Sequence, residues 1–430
     1  MAGLAVTLNI AAQTLMNTQT ELSTASNNIS NATTTGYAVE TAVQTENPST
    51  QMVYGYLGAG ASVTSISQKR DNFLEQQLMN ATSSDSQYTS QASELSTIQS
   101  VASDSGSTGI SQALGNFFDA WGTLSQNPTG VAEQSAVYSA GQNLASAIQT
   151  TYSQLDNINT QLTTQISDTA TQANSLLSQI AQLNTGIVRG GTTPTSQPND
   201  LIDQQYAALD SLSKLIPINF SKQSDGTFTV TATVNGSSET LVSEGTVNST
   251  PIAATDSVGG GQLGGLQNAQ TELTGYMGQL DNFASTLESQ ANTTSGFSVF
   301  SGTTASTISA NSGYLSGQSA TTLAPSAQAM SNLQDQAVSF SDLNNPSSTL
   351  QGYLNYIQQN IGTDAQTANI NQSYYDSLKS ELQSQQQSVS GVSMDEEMVH
   401  VIQFQQIYQA AAKVVTTTAT LMNTVINMVQ

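Results

Sequence analysis

The chain carries a single histidine, His400, and no cysteine. Imidazole clusters and thiolate metal sites therefore lack ligands, no disulfide can form, and any Ser-His-Asp constellation would have to run through His400. His400 lies in a helical pattern among apolar residues and reads as a helix-surface position. No lysine follows a glycine, which excludes a P-loop, so Gly259 to Gly265 reads as a flexible return into helix. No HExxH stretch occurs either. The acidic run Asp395, Glu396, Glu397 resembles a carboxylate cluster, yet Ser393 and Glu396 have capping-box spacing, and acids favour the positive end of a helix dipole. Helix capping is the better reading. Folding could still pair distant carboxylates in a glycosidase-like arrangement, the catalytic option that residue types leave open. No cofactor, no metal site and no catalytic residue is expected.

The elements around these residues are long helices. At the N-terminus, Leu8, Ala11, Leu15, Thr18, Leu22, Ala25 and Ile29 recur at steps of three and four, with Glu21 as the single charge. At the C-terminus one heptad line is Met394, Val401, Tyr408, Val415, Met422 and Val429, and a second is Met398, Gln405, Ala412, Ala419 and Ile426. Phe404, Ala411, Val414, Leu421 and Val425 broaden that face, so one partner helix cannot cover it. The two ends could close on each other as an antiparallel pair, pack against many copies, or do both.

The 430 residues suffice for two to three domains. Only 9% are charged, against about 25% in an average globular chain, so polarity rests on Ser, Thr, Asn and Gln. Seven Lys and Arg face thirty Asp and Glu, a formal net charge of −23, which excludes a nucleic-acid backbone as partner. The first basic residue is Lys69, and Asn9, Gln13 and Thr14 interrupt any apolar core, so no cleavable signal peptide is expected. No stretch has the ~18 apolar residues of a membrane span, and no membrane partner is expected.

Between the ends, Asn27 to Tyr37 should stop the first helix, with Gly36 free to take a left-handed cap. Residues 38 to 66 read as extended loop or short strands, with Pro48, Gly55, Gly58 and Gly60 as punctuation. Residues 69 to 190 read as long helices broken at Ser103 to Gly109 and at Asn127 to Gly130. The last of these helices carries Ile148, Leu155, Leu162, Leu176 and Leu183 on one line and Tyr152, Ile166, Ala173, Ile180 and Ile187 on the other; the loop Arg189 to Pro198 ends it. Alternation at Phe228, Val230, Ala232 and Val234, followed by Asn235-Gly236, predicts a hairpin within a small β domain at 215 to 262. Helical spacing returns at 266 to 292, is lost over 293 to 325, and resumes from Leu354 to Val389. The expected fold is mainly α: coiled-coil-like helices from both chain ends form a rod, with a small inserted antiparallel β domain. Its expected parts are terminal helices (1–36 plus 394–430, disordered in the free subunit), a helical rod (37–214 plus 263–393) and the β insertion (215–262).

The segment Asn27 to Tyr37, NNISNATTTGY, resembles the N-terminal motif of bacterial flagellar rod, hook and hook-associated proteins through Asn28, Ile29, Asn31, Gly36 and Tyr37. Ser390 to Val415 is still more similar to the flagellar hook-associated protein 1 family, the first junction between hook and filament, through Gly391, Val392, Asp395, Glu396, Glu397, Phe404, Gln405, Tyr408, Gln409 and Ala410. Residues 196 to 204 and 261 to 292 resemble that family's middle region. Thr33, Thr35 and Ser393 depart from the usual Asn, Pro and Asn, and Thr35 makes the turn less rigid. Longer members carry an additional outer domain where 293 to 325 stands, and none is expected here.

The resemblance implies an extracellular, non-catalytic component of the flagellum at the hook-filament junction, exported by the flagellar type III apparatus without a cleaved signal. Implied partners are other copies in a helical array, the hook protein, the second junction protein and an export chaperone at the C-terminal segment. The expected assembly residues are Leu8, Leu15, Leu22, Asn28, Ile29, Asn31, Gly36 and Tyr37 at one end and Met394, Met398, Val401, Phe404, Gln405, Tyr408, Val415, Met422 and Ile426 at the other. Two alternatives remain: another axial protein, such as the second junction protein or a flagellin, and an extracellular glycan-binding or hydrolytic module carried by residues 215 to 325.

Overall fold

The computed structural model describes residues 2–34, 36–52, 55–103, 109–190, 198–248, 250–342 and 347–429. Thr35, most of the break at Ser103 to Gly109 and residues 191–197 of the loop before Pro198 lie outside them, as does the side chain of Val429.

The fold is mainly α. The N-terminal stripe forms α1 (Ala2–Asn31), followed by strands β1 (Glu40–Glu46), β2 (Thr50–Met52), β3 (Gly55–Leu57) and β4 (Ala61–Gln68). Next come α2 (Asn72–Ala102), α3 (Ile110–Gln126), α4 (Val131–Gly190) and α5 (Asn199–Leu215). Strands β5 (Asn219–Lys222), β6 (Phe228–Val234), β7 (Ser237–Ser243) and β8 (Thr246–Val247) precede α6 (Gly261–Ser295). The chain then makes β9 (Phe300–Ser301), β10 (Ser309–Ala310), α7 (Ala320–Leu333), β11 (Val338–Ser339), β12 (Ser347–Ser348), α8 (Leu350–Ser390) and α9 (Met394–Val429). Residues 1–83, 172–252 and 375–430 form one compact unit, and 84–171 with 253–374 form a second.

In the first unit, α1 packs along α9, and the ribbon β1–β4 lies on α1. β1 pairs antiparallel with β4 from Glu40 opposite Gln68 to Glu46 opposite Ala61, with a bulge at Val43/Gln44, and β2 pairs with β3 as a short hairpin. The meander β5-β6-β7-β8 turns between β6 and β7 at Asn235 (φ 52°) and Gly236 (φ 79°), the left-handed pair that a tight hairpin requires. Phe228, Val230 and Ala232 are fully buried, as their alternation dictates. Phe228 sits edge-on to Tyr206 of α5 with ring centroids 5.0 Å apart, so this sheet shares its core with a helix. A second cluster joins Leu74, Leu78 and Ala81 of α2 to Leu382 of α8.

The second unit is centred on α3, whose Phe117, Phe118, Trp121 and Leu124 are all buried. α3 packs on α7, itself unforeseen because Ser, Thr and Pro325 obscure its period. The Phe117 ring lies 5.3 Å from that of Phe300. Residues 296–319 contain the short pair β9–β10 and turns, anchored on α6 by Asn292. Gly265 of α6 lies so close to α2 that a Cβ there would come within 2.2 Å of the Gln87 carbonyl oxygen.

The buried line of α4 drifts from the predicted one. Ile148, Leu155, Leu162, Ile166, Ala173, Ile180 and Ile187 are buried, but Leu176 and Leu183 are half-exposed, and Leu177 and Asn184 take their places. A straight helix drifts about 20° per heptad against a strict seven-residue repeat, so over the roughly four heptads from Ile148 to Leu177 the seam moves by nearly the ~100° between adjacent residues.

Asn184 illustrates how the non-helical segments are attached. Its amide spans one strand residue, donating to the Phe228 carbonyl (2.8 Å) and accepting from the Phe228 N–H (2.9 Å). Asn28 holds Glu40 in the same way (2.9 and 3.0 Å), Asn174 holds Ile252 (2.8 and 2.9 Å) and Asn292 holds Phe300 (3.0 and 3.0 Å). Asn17 bridges Ala61 and Val63, and Gln76 bridges Ile218 and Phe220. Each helix amide replaces a neighbouring strand as partner for backbone groups that burial would otherwise leave unsatisfied.

Two outcomes follow. Substituting Gly265→Ala should lower the stability of the second unit by roughly 1–3 kcal/mol in denaturant titrations, because backbone rather than a flexible side chain blocks the added methyl. Burial holds the phenols of Tyr37, Tyr206, Tyr276, Tyr314 and Tyr353 above their ordinary range. The unfolded chain releases these protons near pH ~10, so the stability they contribute is complete below that pH and is lost as pH rises through the folded values. Tyrosinate absorbance from these residues should therefore appear together with loss of helical signal, not before it.

Candidate assembly interface

The paired terminal helices contain most of the predicted site residues. On α1, Ala11, Thr18 and Ala25 are buried, and Leu8, Leu15, Leu22 and Ile29 are half-buried, so the predicted stripe is the face turned inward. On α9 the inward line is Val401, Phe404, Ala411, Val415, Thr418, Met422 and Val425, again at steps of three and four with Tyr408 completing the series. The structure thus brings Val401, Phe404, Val415 and Met422 onto the seam. Tyr408 stays 44% exposed, and Met394, Met398, Gln405 and Ile426 stand exposed.

The geometry of α9 explains this. Positions 398, 405, 412, 419 and 426 form a line flanking the seam on one side. Ile407, Val414, Leu421 and Met428 form a line of strict seven-residue spacing on the other, and all four are exposed. Spacing alone signals this second line. It begins one heptad after His400, which is exposed with its ring 5.9 Å from Phe404.

The motif after α1 is a hydrogen-bonded corner. The Asn28 side chain is almost wholly buried; besides clamping Glu40, its Oδ1 accepts from the Tyr37 hydroxyl at 2.7 Å. Asn31 donates to the Asn27 carbonyl and side-chain oxygens, and Thr34 donates to Asn31 Oδ1. Gly36 has φ +82°, the left-handed conformation expected of it, and faces Ala207 of α5. The Val39 N–H donates to the Ser390 carbonyl at 2.9 Å, joining this corner to the end of α8. At the start of α9, Ser393 Oγ accepts from the Glu396 N–H at 3.4 Å, the capping contact read from the sequence.

Sequence reasoning missed Arg70. Its buried guanidinium donates to the Gly36 carbonyl, to Asp203 Oδ1 (2.6 Å) and to Glu75 Oε1 (3.1 Å), and lies 4.1 Å from the Tyr206 ring centroid. Burial pushes the Asp203 carboxyl up, against the lowering by Arg70 and Gln68. Glu75 is five residues on, but the Gly36 carbonyl and Asp203 lie 34 and 133 residues away, and no local spacing announces that three-way meeting.

Elsewhere, a cavity of about 940 Å³ in the second unit is lined by residues of α2, α3, α4, α6 and α8, none of them Asp, Glu, Lys, Arg or His. Among the described residues no group of three potential metal ligands occurs, and no helix is long and apolar enough to cross a membrane.

A pair of terminal helices with uncovered apolar heptad lines, joined to the body through an N-I-x-N…G-Y corner, carries the resemblance to flagellar axial proteins. The comparisons agree. The family described as flagellar basal body rod protein matches residues 8–37, and that described as flagellar basal body rod FlgEFG protein C-terminal matches 383–428. Flagellar hook-associated protein FlgK helical domain matches residues 95–302. Flagellar hook-associated protein 1 of Salmonella typhimurium is 31% identical over 225 residues, covering 52% of this chain and 40% of the relative. The Escherichia coli protein of that name is 28% identical over 65% of this chain and 52% of its own length. The Bacillus subtilis protein of that name is 26% identical over 98% of this chain and 97% of its own length. The aligned regions thus span about half or less of the two enterobacterial relatives. The structure of the flagellar hook junction protein FlgK from Burkholderia pseudomallei shares the fold, with TM-score 0.59 over 73% of this chain at 16% identity. The chain belongs to the flagellar hook-associated protein 1 family.

Replacing Asn28 by Ala should cost about 3 kcal/mol in urea titrations of the first unit, because two buried backbone groups and the Tyr37 hydroxyl lose their partner together. Wild-type stability for this variant would show that the corner does not depend on the clamp.

Proposed function

We propose that this chain is a non-catalytic structural part of the flagellum that joins hook to filament. The observation that carries this reading is the uncovered pair of apolar lines on α9, exposed along a helix that already has α1 as its partner. Fully burying a side chain such as Leu or Ile contributes roughly 1.5–3 kcal/mol, so covering several of them per subunit gives association a substantial drive. A helix with apolar residues on both flanks of its seam takes neighbours on both sides, and repetition of such heterologous contacts builds an open helical array.

In this reading residues 1–36 and 394–430 form the axial core, 37–214 with 263–393 the surrounding helical layer, and 215–262 the outside. The predicted stripe residues and the corner Asn28, Asn31, Gly36 and Tyr37 are its assembly surface. The partners are further copies, the hook protein and the second junction protein, with an export chaperone holding the C-terminal segment before secretion. Passage through the flagellar type III route without signal cleavage places the protein outside the cell. The names of the relatives and the low-charge, cysteine-free composition support this reading.

The double substitution Val414→Glu with Leu421→Glu tests it. Both side chains are exposed in the isolated subunit, so its melting temperature should move by no more than a few degrees, while cells carrying the variant should fail to grow filaments on their hooks. Normal filaments from this variant would contradict the reading.

A further inference from the structure

We propose that Arg70 is a clasp that fixes the direction in which the paired helices α1 and α9 leave the rest of their unit. One buried side chain meets three separate pieces of chain: the turn after α1 through the Gly36 carbonyl, the first turn of α2 through Glu75, and the middle of α5 through Asp203 and the Tyr206 ring. Its neighbours extend the grip. Gln68 donates to both Asp203 and the Asn199 carbonyl, and Gln386 near the end of α8 donates to the other oxygen of Glu75 at 2.8 Å. Both connections to the terminal pair, the turn before Tyr37 and the end of α8 at Ser390, therefore sit within the network that Arg70 centres, and the bond from Val39 to Ser390 ties them together.

The chemistry suits orientation better than stability. A buried ion pair returns little net free energy after desolvation, whereas its geometric demands are strict. The guanidinium fork spreads donors in a plane and stacks on an aromatic face, which the single ammonium of lysine cannot reproduce. Apolar packing would hold the turn against α5 equally well but would tolerate sliding. Gly36 lets this turn approach α5 closely, since a Cβ on it would press to 3.2 Å on the Ala207 methyl. The inference concerns the isolated subunit and does not depend on the flagellar reading.

The absence of cysteine makes the test direct, because each introduced pair is the only labelled pair. Nitroxides at Gln406→Cys of α9 and Gln182→Cys of α4 report the direction of the terminal pair by electron-electron resonance. A second pair, Gln182→Cys with Gln204→Cys of α5, reports the body alone. All three positions are exposed. Arg70→Met should broaden the first distance distribution at least twofold and leave the second narrow, with Arg70→Lys falling between. Asp203→Ala, which removes the α5 arm but keeps the Glu75 pair, serves as the second variant if Arg70→Met does not fold. An unchanged first distribution, or equal broadening of both, would overturn the proposal.

Discussion

A helix can hide only as much apolar surface as its neighbours cover, and the last helix of this chain has more than one neighbour can cover. α1 supplies the partner for one line of α9, and the lines on either side stay in water. Most helices in a soluble domain carry a single apolar stripe, so that a monomer satisfies them. Here a satisfied monomer is not available by any rotation of α9: turning one flank inward turns the present seam outward. The surplus is a property of the sequence, and it sets the subunit up to be completed by others.

The remainder of the fold works within a second restriction, the shortage of charge and the absence of cysteine. Surface ribbons and turns cannot be stapled by disulfides and seldom by ion pairs. Helix asparagines and glutamines take over, each spanning the N–H and C=O of one or two neighbouring residues in the manner of an adjacent strand. These bonds are net contributors of about 1 kcal/mol each, yet they set register, because an amide that slips by one residue meets a backbone facing the other way. The polar composition is thus structural as well as solubilising.

Much of this was legible in the residues. The ends of α2, α3 and α4, the hairpin at Asn235-Gly236, the cap at Ser393 and the inward stripe of α1 follow from spacing and local chemistry, which act within a turn or two of chain. What escaped depends on distance or on drift. Leu177 and Asn184 displaced Leu176 and Leu183 because a long helix does not keep a seven-residue register, and α7 was hidden by a polar surface. Of the second exposed line of α9, Val414 and Leu421 read in the sequence only as a broadening of one face, and Ile407 and Met428 carry no reading there. Arg70 finds Asp203 more than a hundred residues away, and no local pattern announces such a pair.

The central claim is that the flanks of the terminal pair are covered only by other subunits. Amide hydrogen exchange of α1 and α9, compared between the free chain and the assembled array with the helices of the second unit as internal reference, tests it most directly. The account predicts partial protection of both terminal helices in the free chain, where each has only the other as partner, and a marked gain on assembly, with the reference helices unchanged. Full protection of α1 and α9 in the free chain, with no gain on assembly, would contradict it.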